Sequence, residues 1–209
     1  MLTACLTFAV VAALVTITPG LDTMLVLRTA VAGGRRVGFL AGIGIGAGCL
    51  AWAVAGAVGL TTVLAASRFA FDALRLAGAC YLLWLGGQAL WHARGGGHRR
   101  RSSADSADTP ISGRAALRTG FVTNLLNPKI GVFYMSLLPQ FVPDGASVLW
   151  TSLLFAVIHD IEGMLWFTLI VFAAGTARRT LTRPAVKRRL QQLTGIAFIG
   201  FGLRLATDR

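Results

Sequence analysis

The chain has 209 residues, of which 55% are hydrophobic and only 13% are charged, and its formal net charge is +12 at pH 7. A soluble domain carries about 25% charged residues, so this composition excludes an ordinary soluble protein and indicates an integral membrane protein. The apolar stretches are continuous and do not alternate with polar residues, which favours membrane helices over a barrel. The positive charge is expected of cytoplasmic loops in such a protein, so no nucleic-acid partner is predicted.

Six apolar stretches have roughly the ~20 residues that a helix needs to cross a bilayer. They cover residues 2–31, 37–66, 71–91, 119–141, 148–174 and 190–206. The first two are longer than an upright helix requires, so each must tilt, break or extend beyond the bilayer. The predicted fold class is therefore an all-α integral membrane protein with six transmembrane helices in a single domain, residues 1–209.

The connections between these stretches alternate in charge. Basic residues concentrate in the first, third and fifth connections, at Arg35, Arg36, Arg94, Arg99–Arg101, Arg114, Arg118, Arg178, Arg179, Arg183 and 187–189. The second and fourth connections hold only Arg68 with Asp72, and Asp144. The positive-inside rule then places the odd-numbered connections in the cytoplasm and both termini outside.

A segment rich in Gly, Ser, Asp and Arg divides the chain into two halves. Residues 93–118 are predicted as a flexible basic cytoplasmic linker between a first half, 1–92, and a second half, 119–209. Each half contains three predicted spans, and an odd number of spans gives the halves opposite orientations in the membrane. Inverted repeats of this kind are common in secondary transporters.

The first predicted span is interrupted by Thr18-Pro19-Gly20-Leu21-Asp22-Thr23. Proline cannot continue a helix without losing a hydrogen bond, and glycine loosens the backbone further. Asp22 places a carboxylate between two apolar stretches, where both the charge and the freed backbone groups need partners. This combination predicts a functional site, although a solvated loop at the membrane surface would read similarly.

A second interruption, Asn127-Pro128-Lys129, lies in the fourth predicted span. Thr18 precedes Pro19 as Asn127 precedes Pro128, so each pair is predicted to be a helix N-cap followed by proline at the first helical position. Each pair would start a half-helix whose amide groups face an interior cavity and attract an anion such as a substrate carboxylate. A proline kink stabilised by packing is the alternative reading.

Lys129 stands at the positive end of the second half-helix, where a cation is unfavourable unless a carboxylate balances it. Asp22 is the first predicted partner and Glu162 is the second. The alternative is that the Lys129 side chain reaches out to the cytoplasmic surface.

The fifth predicted span carries His159, Asp160 and Glu162 among apolar residues. On a helix His159, Glu162 and Trp166 share one face, which is predicted to line a cavity, whereas Asp160 points largely away. Such groups serve as proton relays in membranes. A metal site here would need further ligands that the apolar regions do not supply, so neither a metal nor a cofactor is predicted.

Small residues mark the second predicted span. Glycines recur at spacings of four residues, at Gly38, Gly42 and Gly46 and again at Gly44 and Gly48. This spacing lets helices approach closely, either within the fold or across a homodimer. The cysteines Cys5, Cys49 and Cys80 all lie in apolar stretches and are predicted to be small core residues.

At these positions the chain resembles the lysine exporter and homoserine/threonine resistance (LysE/RhtB-type) family of amino-acid exporters. The resemblance rests on the two interruptions and on residues 28–38, 76–86, 120–129 and 138–141. The family usually reads Pro-Gly-Pro-Asp at the first interruption, and Leu21 replaces the second proline here. The resemblance implies a protein of the bacterial cytoplasmic membrane that exports amino acids in exchange for protons.

Carried over by motif, the resemblance implies a central substrate site. Its expected residues are Thr18, Pro19, Gly20, Asp22, Thr23, Asn124, Asn127, Pro128 and Lys129. Asp22, Glu162, Asp160 and His159 are the candidates for proton coupling.

The prediction is therefore a secondary active exporter, with amino acids, protons and membrane lipid as partners. Efflux of a metal cation or another small metabolite remains open as an alternative. An intramembrane enzyme acting on lipid is a further alternative, since Asp22, Glu162 and His159 could serve acid–base chemistry, but no nucleophile or metal motif accompanies them.

Overall fold

A computed structural model gives the arrangement of the helices. It describes residues 1–18, 20–66, 76, 79–80, 83–84, 86–91, 93, 112–173 and 184–207. These residues form helices and short connections and contain no strand, so the predicted all-α class is confirmed for the described part of the chain. Pro19, most of the third predicted span and most of the predicted linker lie outside the described residues.

Both predicted interruptions separate helices. The described helices are α1 (Leu2–Ile17), α2 (Leu21–Gly33), α3 (Arg35–Ala66), α4 (Gly113–Leu125), α5 (Pro128–Val132), α6 (Val148–Phe172) and α7 (Pro184–Thr207). After α5 the chain continues as a π-helical turn, Phe133–Leu137, and a 3₁₀ turn, Leu138–Phe141. The chain is therefore helical from Pro128 to Phe141, although its hydrogen-bond pattern changes twice.

Among the described residues, two helical stretches are long and apolar enough to cross a membrane, Arg35–Gly59 and Val148–Phe172. The pair α1 and α2 passes the same test when taken together, with a bend of 54° at the break. The protein is thus an integral membrane protein with two or three clear spans in its described part, and six spans remain a prediction.

Glycines bring α3 and α4 into close backbone contact. A side chain at Gly44 would collide with the backbone of Leu117, and one at Gly120 would collide with the backbone of Ala41. Farther along α3, Gly48 lies against Asn124. Successive positions of α3 therefore meet successive positions of α4, which means that the two helices run parallel.

The other glycine row of α3 packs against α6. A Cβ at Gly38 would lie 3.1 Å from Val171, a Cβ at Gly42 would lie 3.1 Å from Phe167, and a Cβ at Gly46 would lie 3.4 Å from the Asp160 carboxyl group. The order is reversed along α6, so this pair is antiparallel. The glycine rows of α3 are thus used inside the fold, and the predicted homodimer loses the feature on which it rested.

These directions place several helix ends together. The starts of α3 and α4 lie at the same end of the bundle as the end of α6, and the Arg35 guanidinium stands 4.8 Å from the centre of the Phe172 ring. Each of these helix ends borders one of the three basic connections in the sequence.

Aromatic side chains pack α1 against α6 and against the turns that follow α5. The Phe8 ring stacks on Phe155 with centroids 4.5 Å apart and meets the rings of Phe133 and Phe141 at 5.6 Å. Phe8, Phe133 and Phe155 are almost fully buried. This cluster fixes α1 against α6 and the π-helical turn.

Candidate functional site

The two helix breaks meet, and Asp22 makes the first connection between them. Asp22 lies in the first turn of α2, and its Oδ2 accepts hydrogen bonds from Asn124 Nδ2 at 3.1 Å and Asn127 Nδ2 at 3.0 Å. The three side chains are only 8%, 0% and 3% exposed, respectively. One carboxylate oxygen therefore joins the start of α2 to the end of α4 and to the start of α5.

Lys129 makes the reciprocal connection. Its Nζ donates hydrogen bonds to the backbone oxygens of Val15 at 3.0 Å and Thr18 at 3.2 Å. These carbonyl groups belong to the last turn of α1, whose final carbonyls lack partners within the helix and carry partial negative charge. Asp22, the first predicted partner, is the carboxylate whose charge acts on Lys129, while the ammonium group donates its hydrogen bonds to the carbonyl end of α1.

Gly20 leaves the space for this contact. A Cβ added at Gly20 would lie 3.0 Å from Lys129 Nζ. The Gly20 backbone has φ −137°, which any residue can adopt, so the glycine is favoured here by space and not by conformation.

Of the two predicted helix N-caps, one is confirmed and the other is wrong. Asn127 caps α5 as predicted: its Oδ1 accepts from the backbone N–H of Lys129 at 3.1 Å, and the exposed Pro128 is the first helical residue. The predicted Thr18 cap is wrong, because Thr18 ends α1 and its Oγ1 donates to the Leu14 carbonyl at 2.6 Å. Gly20 precedes α2, and no side chain caps that helix.

A small cavity lies where the breaks face α3 and α6. Its volume is about 40 Å³, which is room for about three water molecules. Its polar lining residues are Thr16, Asp22, Thr23, Lys129, His159 and Asp160, and its apolar part includes Ile45, Met164 and Phe167. An amino acid does not fit this volume, so its entry requires the elements around the cavity to separate.

Among the described residues that line the cavity, two polar atoms are buried without a hydrogen-bond partner. They are Asp22 Oδ1 and Thr16 Oγ1. Buried polar groups in proteins are nearly always paired, so each exception calls for a ligand or a change of state. Asp22 thus offers one oxygen already held by two amides and one oxygen free to accept a donor.

The structure reverses the predicted positions of two acids of α6 relative to the cavity. His159 lines the cavity as predicted, but Asp160 lines it too, and Glu162 does not. The reason is that the glycine row of α3 packs against the α6 face that carries Asp160 and Phe167. That face becomes the inner one, and Glu162 and Trp166 lie off the cavity with Glu162 Oε2 and Trp166 Nε1 buried and unpartnered.

Sequence reasoning missed two buried groups beside the site. The Tyr134 hydroxyl lies 3.1 Å from His159 Nδ1, and the Cys49 thiol lies 3.5 Å from Asn124 Nδ2 and lines the cavity. Tyr134 belongs to the π-helical turn, whose shifted register the residue spacing does not reveal. Cys49 follows the Gly46–Gly48 region of α3, so its place opposite Asn124 could have been inferred only once α4 was known to be the partner.

No cluster of three or more His, Cys, Asp or Glu side chains suited to a metal ion occurs within the described ranges.

Comparison with known proteins identifies the family. The family model described as LysE type translocator matches residues 13–209. The chain is 33% identical to a leucine efflux protein of Enterobacter sp. (strain 638), over 96% of this chain and 94% of that protein. It is 32% identical to a threonine efflux protein of Escherichia coli (strain K12), over 98% of both chains.

A third relative, an uncharacterized membrane protein of Bacillus subtilis (strain 168), is 28% identical over 95% of this chain and 96% of its own length. No solved structure matches the chain. The family match covers nearly the whole sequence, including both helix breaks and the acids of α6. The chain therefore belongs to the LysE type translocator family.

Proposed function

We propose that this protein exports amino acids or close derivatives by secondary active transport, in exchange for protons. Membership of a translocator family and similarity to proteins named for leucine and threonine efflux support export. The single observation that carries the proposal is the reciprocal contact between the two breaks, in which Asp22 and Lys129 border one buried cavity.

A zwitterionic amino acid matches the charges at this junction. Its ammonium group would bind the free Oδ1 of Asp22, which is buried and lacks a donor. Its carboxylate would bind the Lys129 ammonium group, whose Nζ lies within reach of the same cavity. Thr16 and Thr23, which also line the cavity, would supply further polar contacts.

Substrate binding would then exchange one set of contacts for another. The Lys129 ammonium would leave the carbonyl groups of Val15 and Thr18 for the substrate carboxylate, and the bond that ties the second break to the end of α1 would be lost. Residues 1–92 and 119–209 would form the two inverted halves, and their rocking would open the site to one side and then the other.

The proposed orientation places the basic connections in the cytoplasm of a bacterium, in its cytoplasmic membrane, with both termini outside. The clustering of the starts of α3 and α4 with the end of α6 supports this orientation, since it gives the basic connections a common side. Export then means that substrate enters the cavity from this basic end.

Efflux from proteoliposomes tests the proposal. Vesicles containing the purified protein are preloaded with labelled leucine, threonine, lysine or other amino acids, with and without an imposed proton gradient. We expect saturable efflux of one or a few amino acids that the gradient accelerates. Absence of efflux for every amino acid, from protein shown to be folded, would contradict the proposal.

A further inference from the structure

We propose that Asp160 carries the exchanged proton, whereas Asp22 serves as the fixed ligand of the substrate ammonium. This division of roles rests on the proposed function and deepens it. It assigns the two steps of antiport, binding of substrate and binding of a proton, to two carboxylates that face one cavity from α2 and α6.

Asp22 is poorly placed to take up and release a proton. Its Oδ2 accepts two amide hydrogen bonds, from Asn124 and Asn127, which hold the carboxylate across the junction of the breaks. Its other oxygen is buried and faces the place where the substrate ammonium is proposed to bind. A proton on that oxygen would remove the carboxylate charge and so weaken the two amide hydrogen bonds that join the two breaks.

Asp160 has the opposite surroundings. It is half-buried, lines the cavity, and packs with its carboxyl group against Gly46, which offers no side chain. In the described part of the chain no amide, hydroxyl or ammonium group donates a hydrogen bond to it, and its side-chain partner is the thiol of Cys49, which is a weak donor. A proton arriving at Asp160 through cavity water therefore breaks no strong contact.

The charges around the cavity explain how proton and substrate would exclude each other. Asp160 faces Asp22 from α2, Lys129 from α5 and Cys49 from α3, and its neighbour His159 is bonded to Tyr134. The Lys129 charge is already engaged by the end of α1. When Asp160 is ionised, two carboxylates attract the substrate ammonium; when it is protonated, only Asp22 does so, and affinity falls.

Separate measurements of driven efflux and of exchange test this assignment in proteoliposomes. Driven efflux uses an imposed proton gradient, and exchange swaps labelled for unlabelled leucine or threonine at equal pH on both sides. We expect Asp160→Asn to lose the acceleration by the gradient but to keep exchange at saturating substrate, because exchange needs no net proton transfer. Its affinity should be the weaker one of the protonated wild-type protein. Wild-type exchange should weaken as the pH is lowered, whereas Asp160→Asn exchange should not.

Glu162→Gln is the matched control, because it removes an acid from the same helix two residues away but off the cavity; it should keep both activities. Gradient-driven efflux that survives Asp160→Asn would overturn the assignment, as would loss of driven efflux in Glu162→Gln. Loss of exchange in folded Asp160→Asn at saturating substrate would also overturn it, by making Asp160 a required substrate ligand. If that variant does not fold, Asp160→Ser is measured against the same criteria.

A wild-type protein that neither exports nor exchanges any amino acid would instead contradict the proposed function. The two failures are therefore distinguishable, since the assignment of Asp160 is tested only against active wild-type protein.

Discussion

Asn127 serves both helix breaks, because its oxygen caps α5 while its nitrogen binds Asp22. Loss of the cap and loss of the hydrogen bond to Asp22 have different consequences for stability. Removing a helix cap costs about 0.5–2 kcal/mol of stability, and leaving a buried carboxylate short of a donor costs a further ~1–3 kcal/mol. A cap elsewhere in the chain would show only the first cost.

Comparison of Asn127→Ala with Ser112→Ala separates these costs. Ser112 caps α4 through its Oγ at 3.2 Å from the Ala115 N–H, at an exposed position away from the cavity. We expect Ser112→Ala to lower the melting temperature in detergent slightly and to leave the transport KM unchanged. Asn127→Ala should lower the melting temperature further and raise KM, and equal effects of the two substitutions on both quantities would contradict the double role.

The residues of the site differ in how far the sequence alone predicts their contacts. The Asn127 cap was predictable, because Asn before Pro has one strong local reading. Thr18 was not, because a threonine hydroxyl can also bond the carbonyl four residues earlier and then ends a helix. The partner of Lys129 depends on where the end of α1 lies in space, which no local pattern gives.

At the scale of elements, α3 organises the fold through its two rows of glycine. One row lets α4 pack closely against α3, and the other row lets α6 do so. Both α4, which ends at the second break, and the unbroken α6 are therefore positioned against the same helix. The spacing in the sequence predicts close helix approach but not the partner of each row. Which acid of α6 lines the cavity follows from that partner, which is why the sequence alone placed Glu162 on the cavity and Asp160 away from it.

Gly120→Ala tests this packing. Its new methyl group would collide with the backbone of Ala41, and overpacking of this kind costs about 1–3 kcal/mol. We expect a lower melting temperature and less folded protein in detergent. Gly200→Ala in α7 is the matched control, because nothing lies within 4 Å of its added Cβ; equal stability of the two variants would show that α3 and α4 do not need this contact.

At the scale of the whole molecule, the two interruptions meet at one site although Pro19 and Pro128 are 109 positions apart in the sequence (128 − 19). The helical class, the apolar character and the two breaks follow from composition and from proline, which act locally. The meeting of the breaks depends on long-range packing, and the number of spans depends also on residues 67–111 and 174–183, most of which lie outside the described part.

The most direct test of the central claim is proton-driven amino-acid efflux from proteoliposomes containing Asp22→Asn, measured beside the wild-type protein. Asparagine keeps the size of the side chain but removes the charge that would hold the substrate ammonium. Loss of a hydrogen bond to a charged group costs about 1.5–3 kcal/mol, so we expect substrate affinity to fall about 10- to 100-fold and both driven efflux and exchange to be lost at low substrate concentration. Efflux by folded Asp22→Asn at the wild-type rate and KM would contradict the account.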